Sequence, residues 1–562
     1  MAHFTFVLLC TFILSTLFSN VVEATEELNV KTLYGWVEGT TRRALESNRD
    51  VYSFFGIPYA RSPDYTFRFR PPVDPWVWEG VKDTTNQNVP FCSQDPVLLK
   101  NLRQDTWFSY VIDANNTMKE DCLTVNVFSP TKPSKVQQTK KLPVLVWIHG
   151  GGLSFTATTN KLWMLPAFED VVVVTIQYRL GVFGFLTLED NWAPGNTGLL
   201  DQVKALEWVR DNIQAFGGDP EKVTIFGQSS GGFSVSAHML SPRSRGLFHR
   251  AFAMSGVAIL PYNDPEFSNH RLAEKLGCEF WDNAHTSTCL RNHVTTSEML
   301  AATKSLQMRF GTNIDVDFFP DFPRHRLTAN AFNKSIPLML GVVSGEMDFI
   351  LGEKMIPNYN KGIRMPKSAE SLIRNDLAKY HPQLKNPDRI VREYLTNIKP
   401  GIDTVKAESD YLTDSWYTSK LVTVANAHKG AGGTVYMYEF TKQPSLNQGL
   451  KPRPVDFKRA DHCDDMIFFQ GIPFLPGLKE RGLTFTQGEK DLSRKLMNLL
   501  ANFARNGSPN SIGSVSWPQY PEYVLINDTM SVHSGFREQK ETLWLFLSEK
   551  NASLEKKKFR SV

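Results

Sequence analysis

The chain has 562 residues, of which 62 are basic and 58 acidic, giving a formal net charge of +4; 41% of its residues are hydrophobic. Because the charge is nearly balanced and no basic stripe alternates with aromatic residues, we expect no nucleic-acid partner. The apolar content excludes disordered and fibrous chains. The length allows three or four domains or one long α/β enzyme domain, and composition does not choose between them.

The N-terminal stretch has the pattern of a secretory signal. An uncharged apolar run extends from Phe4 to Phe18, and Val22-Glu23-Ala24 follows with the small-residue spacing of a signal-peptidase site. The run is too short to span a hydrocarbon core of about 30 Å. We therefore expect residues 1–24 to be a removed signal peptide and the protein to be secreted and extracellular. We expect neither a transmembrane anchor, a lipid anchor nor an ER-retention signal, because no later run is sufficiently apolar and the C-terminus is basic and polar.

Cysteine usage agrees with secretion. Loss of Cys10 with the signal leaves five cysteines, an odd number, so at least one thiol has no partner within the chain. Pairing between sequence neighbours predicts two disulfides, Cys92 with Cys122 and Cys278 with Cys289, and one free thiol, Cys463. For Cys463 we expect small apolar packing rather than chemistry.

Four sequons fit a secreted chain. Asparagine followed by any residue except proline and then Ser or Thr is a candidate glycosylation site in a protein that passes through the secretory route. The candidates are Asn115, Asn333, Asn527 and Asn551. Each is a weak signal alone, and it gains meaning from the predicted signal peptide.

A glycine-rich turn follows an apolar, strand-like run. The run extends from Val144 to Ile148 and ends in His149-Gly-Gly-Gly152. Three glycines leave main-chain N–H groups open to a ligand that side chains would obstruct. A flexible turn would have the same composition, but beside a nucleophile such donors form an oxyanion hole, where each contributes roughly 3–4 kcal/mol. Gly151 and Gly152 are the candidate donors.

A strand, a helix and a second strand follow at the spacing of a βαβ unit. Residues 171–177 predict a buried strand, and apolar residues recur at helical spacing from Leu199 to Phe216. Gly217-Gly218 and Pro220 end the helix, and the run from Val223 to Phe226 predicts the next strand. Parallel strands with helices on both faces define the α/β class, in which sites lie at the C-terminal ends of the strands.

The candidate nucleophile is Ser229. It lies in Gly227-Gln-Ser-Ser-Gly231, between that strand and a helix predicted from Phe233 to Leu240. This spacing sets a serine on a sharp turn whose strained backbone exposes the hydroxyl. So short a motif also fits a glycine-rich loop with a capping serine, but the strand and helix around it favour the nucleophile. The N–H of Ser230 is then a third candidate oxyanion donor.

A serine nucleophile needs a base and an acid. His462 lies in the polar loop Ala460-Asp-His-Cys-Asp-Asp465, and residues 337–343 predict a strand with Glu346 and Asp348 just beyond it. The order serine, acid, histidine is that of α/β-hydrolases. In an extended segment two carboxylates two residues apart would point to one face, so spacing does not choose between Glu346 and Asp348.

Together these motifs resemble the type-B carboxylesterases, the cholinesterase and carboxylesterase family of α/β-hydrolases. The resemblance runs from about residue 28 to about residue 548. Further matching blocks are Phe55-Gly-Ile-Pro-Tyr-Ala60, Arg68-Phe-Arg-Pro-Pro72, Glu120-Asp-Cys-Leu-Thr-Val-Asn-Val127, Asn196-Thr-Gly-Leu-Leu-Asp-Gln202 and Phe216-Gly-Gly-Asp-Pro220. The resemblance implies one α/β-hydrolase domain over residues 25–562, with a large, mostly parallel central sheet flanked by helices. It implies no cofactor and no metal.

The same resemblance implies roles for particular residues. They are a catalytic triad of Ser229, Glu346 and His462, oxyanion donors at Gly151, Gly152 and Ser230, the two disulfides above, and a structural ion pair between Glu120 and Arg179. The chain also departs from the family, because Gln228 and Ser230 stand where Glu and Ala usually flank the serine. A glutamine immediately before the serine is typical of juvenile hormone esterases. In those enzymes the motif around the catalytic histidine begins with Gly three residues before it, where this chain has Arg459.

The leading hypothesis is a secreted serine carboxylic-ester hydrolase that acts on a small apolar ester through an acyl-enzyme. A juvenile-hormone-like or methyl farnesoate-like sesquiterpenoid methyl ester is the narrower candidate substrate. Gln228 lacks the charge of the usual Glu, which argues against choline esters. The alternatives are a general detoxifying carboxylesterase, a lipase-like enzyme, and a non-catalytic adhesion protein on the same fold. The oligomeric state stays open.

Overall fold

A computed structural model describes residues 28–97, 117–158, 161–190, 192–259, 266–315, 317–348, 366–380, 387–445, 458–512 and 515–537. The predicted signal peptide, residues 1–24, and the sequons at Asn115 and Asn551 lie outside these ranges. Among the helices within them, none is long and apolar enough to cross a membrane.

The strands are numbered in chain order. They are β1 (Asn29–Thr32), β2 (Gly35–Glu38), β3 (Thr40–Ala44), β4 (Arg49–Pro58), β5 (Val81–Asp83), β6 (Phe91–Cys92), β7 (Met118–Lys119), β8 (Thr124–Ser129), β9 (Leu142–Ile148), β10 (Val172–Ile176), β11 (Thr187–Asp190), β12 (Ala193–Pro194), β13 (Gly218–Gln228), β14 (Arg250–Met254), β15 (Leu338–Val343), β16 (Val435–Phe440), β17 (Ser511–Ile512), β18 (Val515–Ser516), β19 (Tyr523–Ile526) and β20 (Met530–His533).

The α-helices are numbered in the same way. They are α1 (Met164–Phe168), α2 (Gly181–Phe185), α3 (Thr197–Asn212), α4 (Ser230–Leu240), α5 (Glu266–Lys275), α6 (Asn283–Asn292), α7 (Thr296–Ser305), α8 (Pro323–Thr328), α9 (Pro366–Tyr380), α10 (Asp388–Leu395), α11 (Ile402–Thr413), α12 (Ser419–Gly430), α13 (Asp464–Phe469) and α14 (Gln487–Asn506). A π-helical turn, Asp414–Thr418, joins α11 to α12.

The central sheet has eleven strands in the order β20-β19-β16-β15-β14-β13-β9-β10-β8-β4-β3. Every neighbouring pair from β19 to β10 in this order is parallel. The outer pairs, which involve β20, β8, β4 and β3, are antiparallel. The predicted α/β class and the large, mostly parallel sheet are therefore confirmed.

Alternate residues of β9 enter two different cores. Val144, Val146 and Ile148 pack into the core on one face of the sheet, and Leu145 and Trp147 pack into the core on the other. All five are buried. A strand covered on both faces needs an uninterrupted apolar run, which is the pattern that predicted β9.

Helices cover both faces of the sheet. The face of Val146 lies under α3, α4 and α12, which contribute Leu199, Val235 and Leu421 to its core. The opposite face lies under α1, α13 and α14, which contribute Leu165, Ile467 and Leu496. The fold is thus the three-layer arrangement that the βαβ pattern predicts.

The helix predicted over residues 199–216 divides into two parts. The α-helix α3 covers Thr197–Asn212, and a 3₁₀ turn, Ile213–Phe216, completes it. Gly217 then ends the helix with φ 88°, a left-handed conformation that glycine adopts without a steric penalty. The boundary matches the sequence prediction, and the last turn is wound more tightly.

The direction in which successive strands are added to the sheet changes between β9 and β13. From β9 it continues to β10 on one side, whereas from β13 it continues to β14 on the other. In open α/β sheets the crevice at such a switch point lies beyond the C-terminal ends of the strands and receives ligands. The glycine turn follows β9 and Ser229 follows β13, so the topology brings them to the same crevice.

Both predicted disulfides are present. Cys92 pairs with Cys122 and Cys278 pairs with Cys289. The first joins β6 to the residues before β8, and the second joins the end of α5 to α6. Cys463 is a free, buried thiol, as the pairing of sequence neighbours predicted.

The ion pair predicted between Glu120 and Arg179 is wrong. The guanidinium of Arg179 donates to both carboxylate oxygens of Asp201 at 2.7 Å, and the main-chain N–H of Arg179 donates to the same carboxylate at 3.0 Å. Glu120 instead accepts two hydrogen bonds from Arg68, at 2.8 and 2.5 Å. Both pairs have the two-pronged geometry in which a guanidinium binds a carboxylate most strongly, and Asp201 in α3 holds both the side chain and the backbone of Arg179.

Candidate active site

Ser229 has the strained backbone of a nucleophile elbow. Its φ is 59° and its ψ is −124°, at the junction of β13 and α4. Residues with a Cβ rarely adopt positive φ, and such strain is common at functional sites. The main-chain N–H of Ser229 donates to the carbonyl of Met254 at the end of β14, at 2.9 Å. Ser229 is partly exposed, whereas Gln228 before it is buried.

Close backbone contacts require glycine around the elbow. A Cβ on Gly231 would lie 2.1 Å from the carbonyl oxygen of Ile148, and a Cβ on Gly227 would lie 2.6 Å from the carbonyl of Gly231. Gly256 is under the same constraint, because a Cβ added at this residue would lie 2.1 Å from the carbonyl oxygen of Ser229. The motif predicts the first two glycines. Gly256 comes from the loop after β14, and no local sequence signal marks it.

The glycine turn after β9 lies against the elbow. A Cβ on Gly150 would lie 3.1 Å from the Cβ of Ser229. Gly151 and Gly152 have φ values of 106° and 60°, and no hydrogen bond between described residues uses their N–H groups. The N–H of Ser230 is the first of α4, where helix amides lack an intrahelical acceptor. The three predicted oxyanion donors therefore lie in one neighbourhood.

Ser230 connects the elbow to the glycine turn. Its hydroxyl oxygen accepts a hydrogen bond from the main-chain N–H of Leu153 at 3.1 Å. The alanine that usually follows the serine in the family has no atom that could accept this bond. The departure at Ser230 thus adds a direct link between the two segments that carry the candidate oxyanion donors.

His462 and Glu346 form a buried hydrogen-bonded pair. The distance between His462 Nδ1 and Glu346 Oε2 is 2.6 Å, and the other carboxylate oxygen accepts from the N–H of Val343 at 2.9 Å. Glu346 is fully buried and His462 is 7% exposed. Because the carboxylate accepts from Nδ1, the proton of the neutral imidazole is on Nδ1 and the lone pair is on Nε2.

The main chain holds the acid and histidine loops together. Gly345 and Asp461 form a parallel β-bridge, and the N–H of Gly345 donates to the carbonyl of Ala460 at 2.9 Å. The ring of Tyr417, in the π-helical turn, lies 5.3 Å from the imidazole between centroids. π-helical turns are frequent at functional sites. The periodicity of the sequence gave no sign of this turn or of Tyr417.

Asp348 lies in an environment different from the predicted one. An extended segment would have placed it on the same face as Glu346, but residues 344–347 form a turn and a bridge instead. Asp348 is 2% exposed and accepts hydrogen bonds from Arg459 at 2.8 and 2.7 Å. The hydroxyl of Ser409 donates to it at 2.5 Å. Contacts, rather than spacing, therefore distinguish the two carboxylates.

Gly345 makes room for this ion pair. A Cβ on Gly345 would lie 2.3 Å from the carboxylate of Asp348 and 2.7 Å from the guanidinium of Arg459. Arg459 is the residue that departs from the histidine block of juvenile hormone esterases. An arginine at this position has a local explanation, because its guanidinium pairs with the buried carboxylate of Asp348.

Two further groups beside His462 are protonated more readily than usual. Burial raises the pKa of Asp465 to about 6, although the hydroxyl of Tyr438 donates to this carboxyl at 2.6 Å. Burial and the surrounding carboxylates raise the pKa of Cys463. A thiol with a raised pKa is a poor nucleophile at neutral pH, which agrees with the packing role expected for Cys463.

We predict that Asp348→Asn lowers the stability of the fold. Breaking a fully buried ion pair costs about 3–5 kcal/mol, and we expect about 2 kcal/mol here because the Arg459 side chain is 23% exposed. Asp410→Asn is the matched control, because Asp410 pairs with the same guanidinium but is 37% exposed. Urea unfolding of both variants measures the difference. Equal losses in the two variants, or no loss in Asp348→Asn, would contradict the role given to this pair.

The chain matches known proteins over nearly its whole length. The family model described as the Carboxylesterase family covers residues 26–544. The chain is 38% identical to a medium-chain fatty acyl-CoA hydrolase precursor of Anas platyrhynchos, with 95% of this chain and 94% of that one aligned. It is 37% identical to carboxylesterase 5A of Canis lupus familiaris, over 91% and 88% of the two chains. It is 35% identical to the pyrethroid hydrolase Ces2a of Mus musculus, over 91% and 89%.

The family match and the site describe the same kind of protein. The family model covers more than nine-tenths of the chain. The relatives align over almost their full lengths at more than 30% identity. Within the aligned region lie a strained serine, a glycine turn packed against it, and a histidine that is hydrogen-bonded to a buried carboxylate. The protein belongs to the carboxylesterase family and is a carboxylic-ester hydrolase.

Proposed function

We propose that the protein is a secreted serine esterase in which Ser229, His462 and Glu346 hydrolyse uncharged, apolar esters. The observation that carries the proposal is the 2.6 Å contact between His462 Nδ1 and Glu346 Oε2. It sets the tautomer of a histidine whose Nε2 lies 3.2 Å from the side chain of Gln228, the residue before Ser229. The Nε2 end of His462 is therefore beside the residue that immediately precedes the partly exposed Ser229.

The reaction follows from these positions in two halves. Ser229 Oγ attacks the acyl carbon while His462 Nε2 takes its proton, and Glu346 stabilises the imidazolium that results. The N–H groups of Gly151, Gly152 and Ser230 stabilise the oxyanion of the tetrahedral intermediate. The intermediate then collapses, and the alcohol leaves with the proton from His462. Water repeats the cycle on the acyl-enzyme, which releases the acid and restores Ser229.

Uncharged substrates fit the groups around the nucleophile. Gln228 is neutral and buried next to Ser229. This position therefore has no negative charge that would attract a substrate with a cationic alcohol group, such as choline. The names of two relatives, a fatty acyl-CoA hydrolase and a pyrethroid hydrolase, support a general carboxylesterase with broad specificity for apolar acyl groups. Gln228 itself supports the narrower candidate, a juvenile-hormone-like esterase that acts on a sesquiterpenoid methyl ester. Both candidates share a small, uncharged, apolar ester as substrate.

Secretion is supported by the disulfides, the N-terminal sequence pattern and the positions of two sequons. Two disulfides persist only in an oxidising compartment in most organisms, and residues 1–24 have the pattern of a signal peptide. Of the two described sequons, Asn333 is exposed and Asn527 is partly exposed. A glycan on either asparagine would extend from the surface.

We predict that Glu346→Gln keeps the fold but lowers kcat by as much as ~10⁴-fold, because the amide no longer fixes the productive imidazole tautomer. Asp348→Asn is the control, since its carboxylate pairs with Arg459 and should affect stability rather than kcat. The measurement is release of the chromophoric alcohol from an activated ester at fixed pH. The unaltered protein should show a burst of one alcohol per chain. A large kcat loss in Asp348→Asn with normal turnover in Glu346→Gln would reverse the assignment.

We also predict that uncharged esters are better substrates than cationic ones. Acetylcholine and its uncharged isostere 3,3-dimethylbutyl acetate have the same shape, so the ratio of their kcat/KM values isolates the charge. The isostere should have the higher value, because Gln228 supplies no negative charge. Faster turnover of acetylcholine would contradict this. Adding methyl farnesoate to the panel distinguishes the two substrate candidates: a strong preference for it supports the narrower one, and similar values for all apolar esters support the general one.

A further inference from the structure

A pocket of about 400 Å³ lies beside β3, the strand at one edge of the central sheet. Its walls come from the end of β3, from α1 and from residues 473–485, which connect α13 to α14. The described residues that line it include none of Ser229, Glu346 and His462. Pockets that bind small molecules have volumes of about 300–1,000 Å³, so this one has room for a ligand away from the nucleophile.

The floor of the pocket is apolar and held in place by packing. Trp163, Met164, Phe474 and Leu483 line it, and each is less than one-tenth exposed. The rings of Phe168 and Phe474 lie 4.6 Å apart between centroids. All five side chains belong to, or pack against, the core that α1, α13 and α14 cover. The floor therefore offers a preformed surface to an apolar ligand.

Apolar surface also remains uncovered at the mouth of the pocket. Leu45 lines it directly after β3 and is 83% exposed. Removing apolar surface from water is favourable by roughly 25 cal/mol per Å². A ligand whose apolar part lay between Leu45 and the floor would therefore be stabilised by burial on both sides.

The charged groups around the pocket are mostly basic. Ion pairs engage two of them, since Lys490 contacts Glu46 at 2.6 Å and Arg43 contacts Asp50 at 2.8 Å. Two more basic side chains, those of Lys479 and Arg494, are exposed, and no ion pair within the described chain engages them. Glu480 is the one further acidic residue of the lining. The pocket therefore has a small excess of positive charge.

Basic groups lie directly over the aromatic floor. The guanidinium carbon of Arg494 is 4.7 Å from the ring centre of Phe168 and 5.6 Å from that of Phe474. Lys490 Nζ is 5.7 Å from the ring centre of Phe474. A ligand on these rings would therefore have positive charge close to its polar end, which favours an anion over a cation.

We propose that this pocket is a second ligand site, which binds an amphiphile with an apolar body and a carboxylate head. The body lies on the aromatic floor and the carboxylate lies among the basic side chains around it. An apolar carboxylic acid is also the class of compound that hydrolysis of an apolar ester releases. This correspondence with the product rests on the proposed function, whereas the pocket and its preference for an anion do not.

The test is isothermal titration calorimetry of the full chain with decanoate, decanol and decyltrimethylammonium, each below its critical micelle concentration. The three probes share one alkyl chain and differ in the charge of the head. Decanoate should bind with a Kd roughly ten-fold lower than that of the cation, and decanol should lie between them. Added salt should reduce the difference, because it screens the charges around the pocket.

Two substitutions of exposed lining residues locate the binding. Thr484→Trp fills the pocket and should abolish this binding of decanoate and of decanol alike. Lys479→Glu reverses one charge and should raise the Kd of decanoate roughly ten-fold while that of decanol stays unchanged. Lys140→Glu is the matched control, because Lys140 is an exposed lysine that does not line the pocket. Thermal melting checks that all three variants fold.

Three results would overturn the inference. They are absence of decanoate binding, binding that Thr484→Trp leaves unchanged, and a Kd for the cation equal to or lower than that for decanoate. Calorimetry needs no turnover, so these results are independent of the serine mechanism. Failure of the proposed function would appear separately, as the absence of an alcohol burst from the unaltered protein.

Discussion

The positive φ of Ser229 is the constraint on which the site depends. The backbone is so closely packed here that a Cβ on Gly231 of α4 would overlap the carbonyl oxygen of Ile148 in β9, and a Cβ on Gly256 would overlap that of Ser229. Three segments, from β9, β13 and β14, therefore meet at one residue. Strain of this kind costs of order 1–3 kcal/mol and persists only where the surrounding structure fixes it. Here the parallel strands and their buried side chains on both faces supply that rigidity.

Four buried carboxylates of the described chain each have a different partner. Glu346 accepts from His462, Asp348 from Arg459, Asp465 from Tyr438 and Asp201 from Arg179. A buried charge without a partner is far more costly than one that is paired and hydrogen-bonded. Of these four carboxylates, Glu346 is the one that contacts the imidazole. The pairing also explains why an arginine at position 459 is compatible with the site, since it is engaged by Asp348.

The features that could be predicted from the sequence are those set by local pattern. The apolar run of β9 and the glycines of the elbow each need only a few adjacent residues, and the two disulfides join cysteines that are neighbours in the order of cysteines, 30 and 11 residues apart. The structure contains all of them. The α/β class followed from one βαβ unit, because helices on both faces of parallel strands determine the layers. The resemblance added Glu346, which spacing alone could not separate from Asp348.

The features that could not be predicted depend on residues far apart in the chain. Arg179 pairs with Asp201 rather than Glu120 because a guanidinium fork follows three-dimensional orientation, which no motif encodes. Asp348 is buried because Arg459, more than a hundred residues later, covers it. Gly256 and Tyr417 approach the site from other elements, and neither lies in a motif. Sequence patterns were therefore sufficient to predict the scaffold and the candidate nucleophile. The pairing of charged side chains could be read only from the three-dimensional structure.

The most direct test of the account is to find which atom becomes acylated or phosphylated. An organophosphorus ester labels an activated serine, and fragmentation of the tryptic peptide that contains residues 223–243 distinguishes Ser229 from Ser230 by mass. The account predicts one adduct per chain, on Ser229, and none in Ser229→Ala. A label on Ser230 or elsewhere in the chain, or equal labelling of Ser229→Ala, would contradict it.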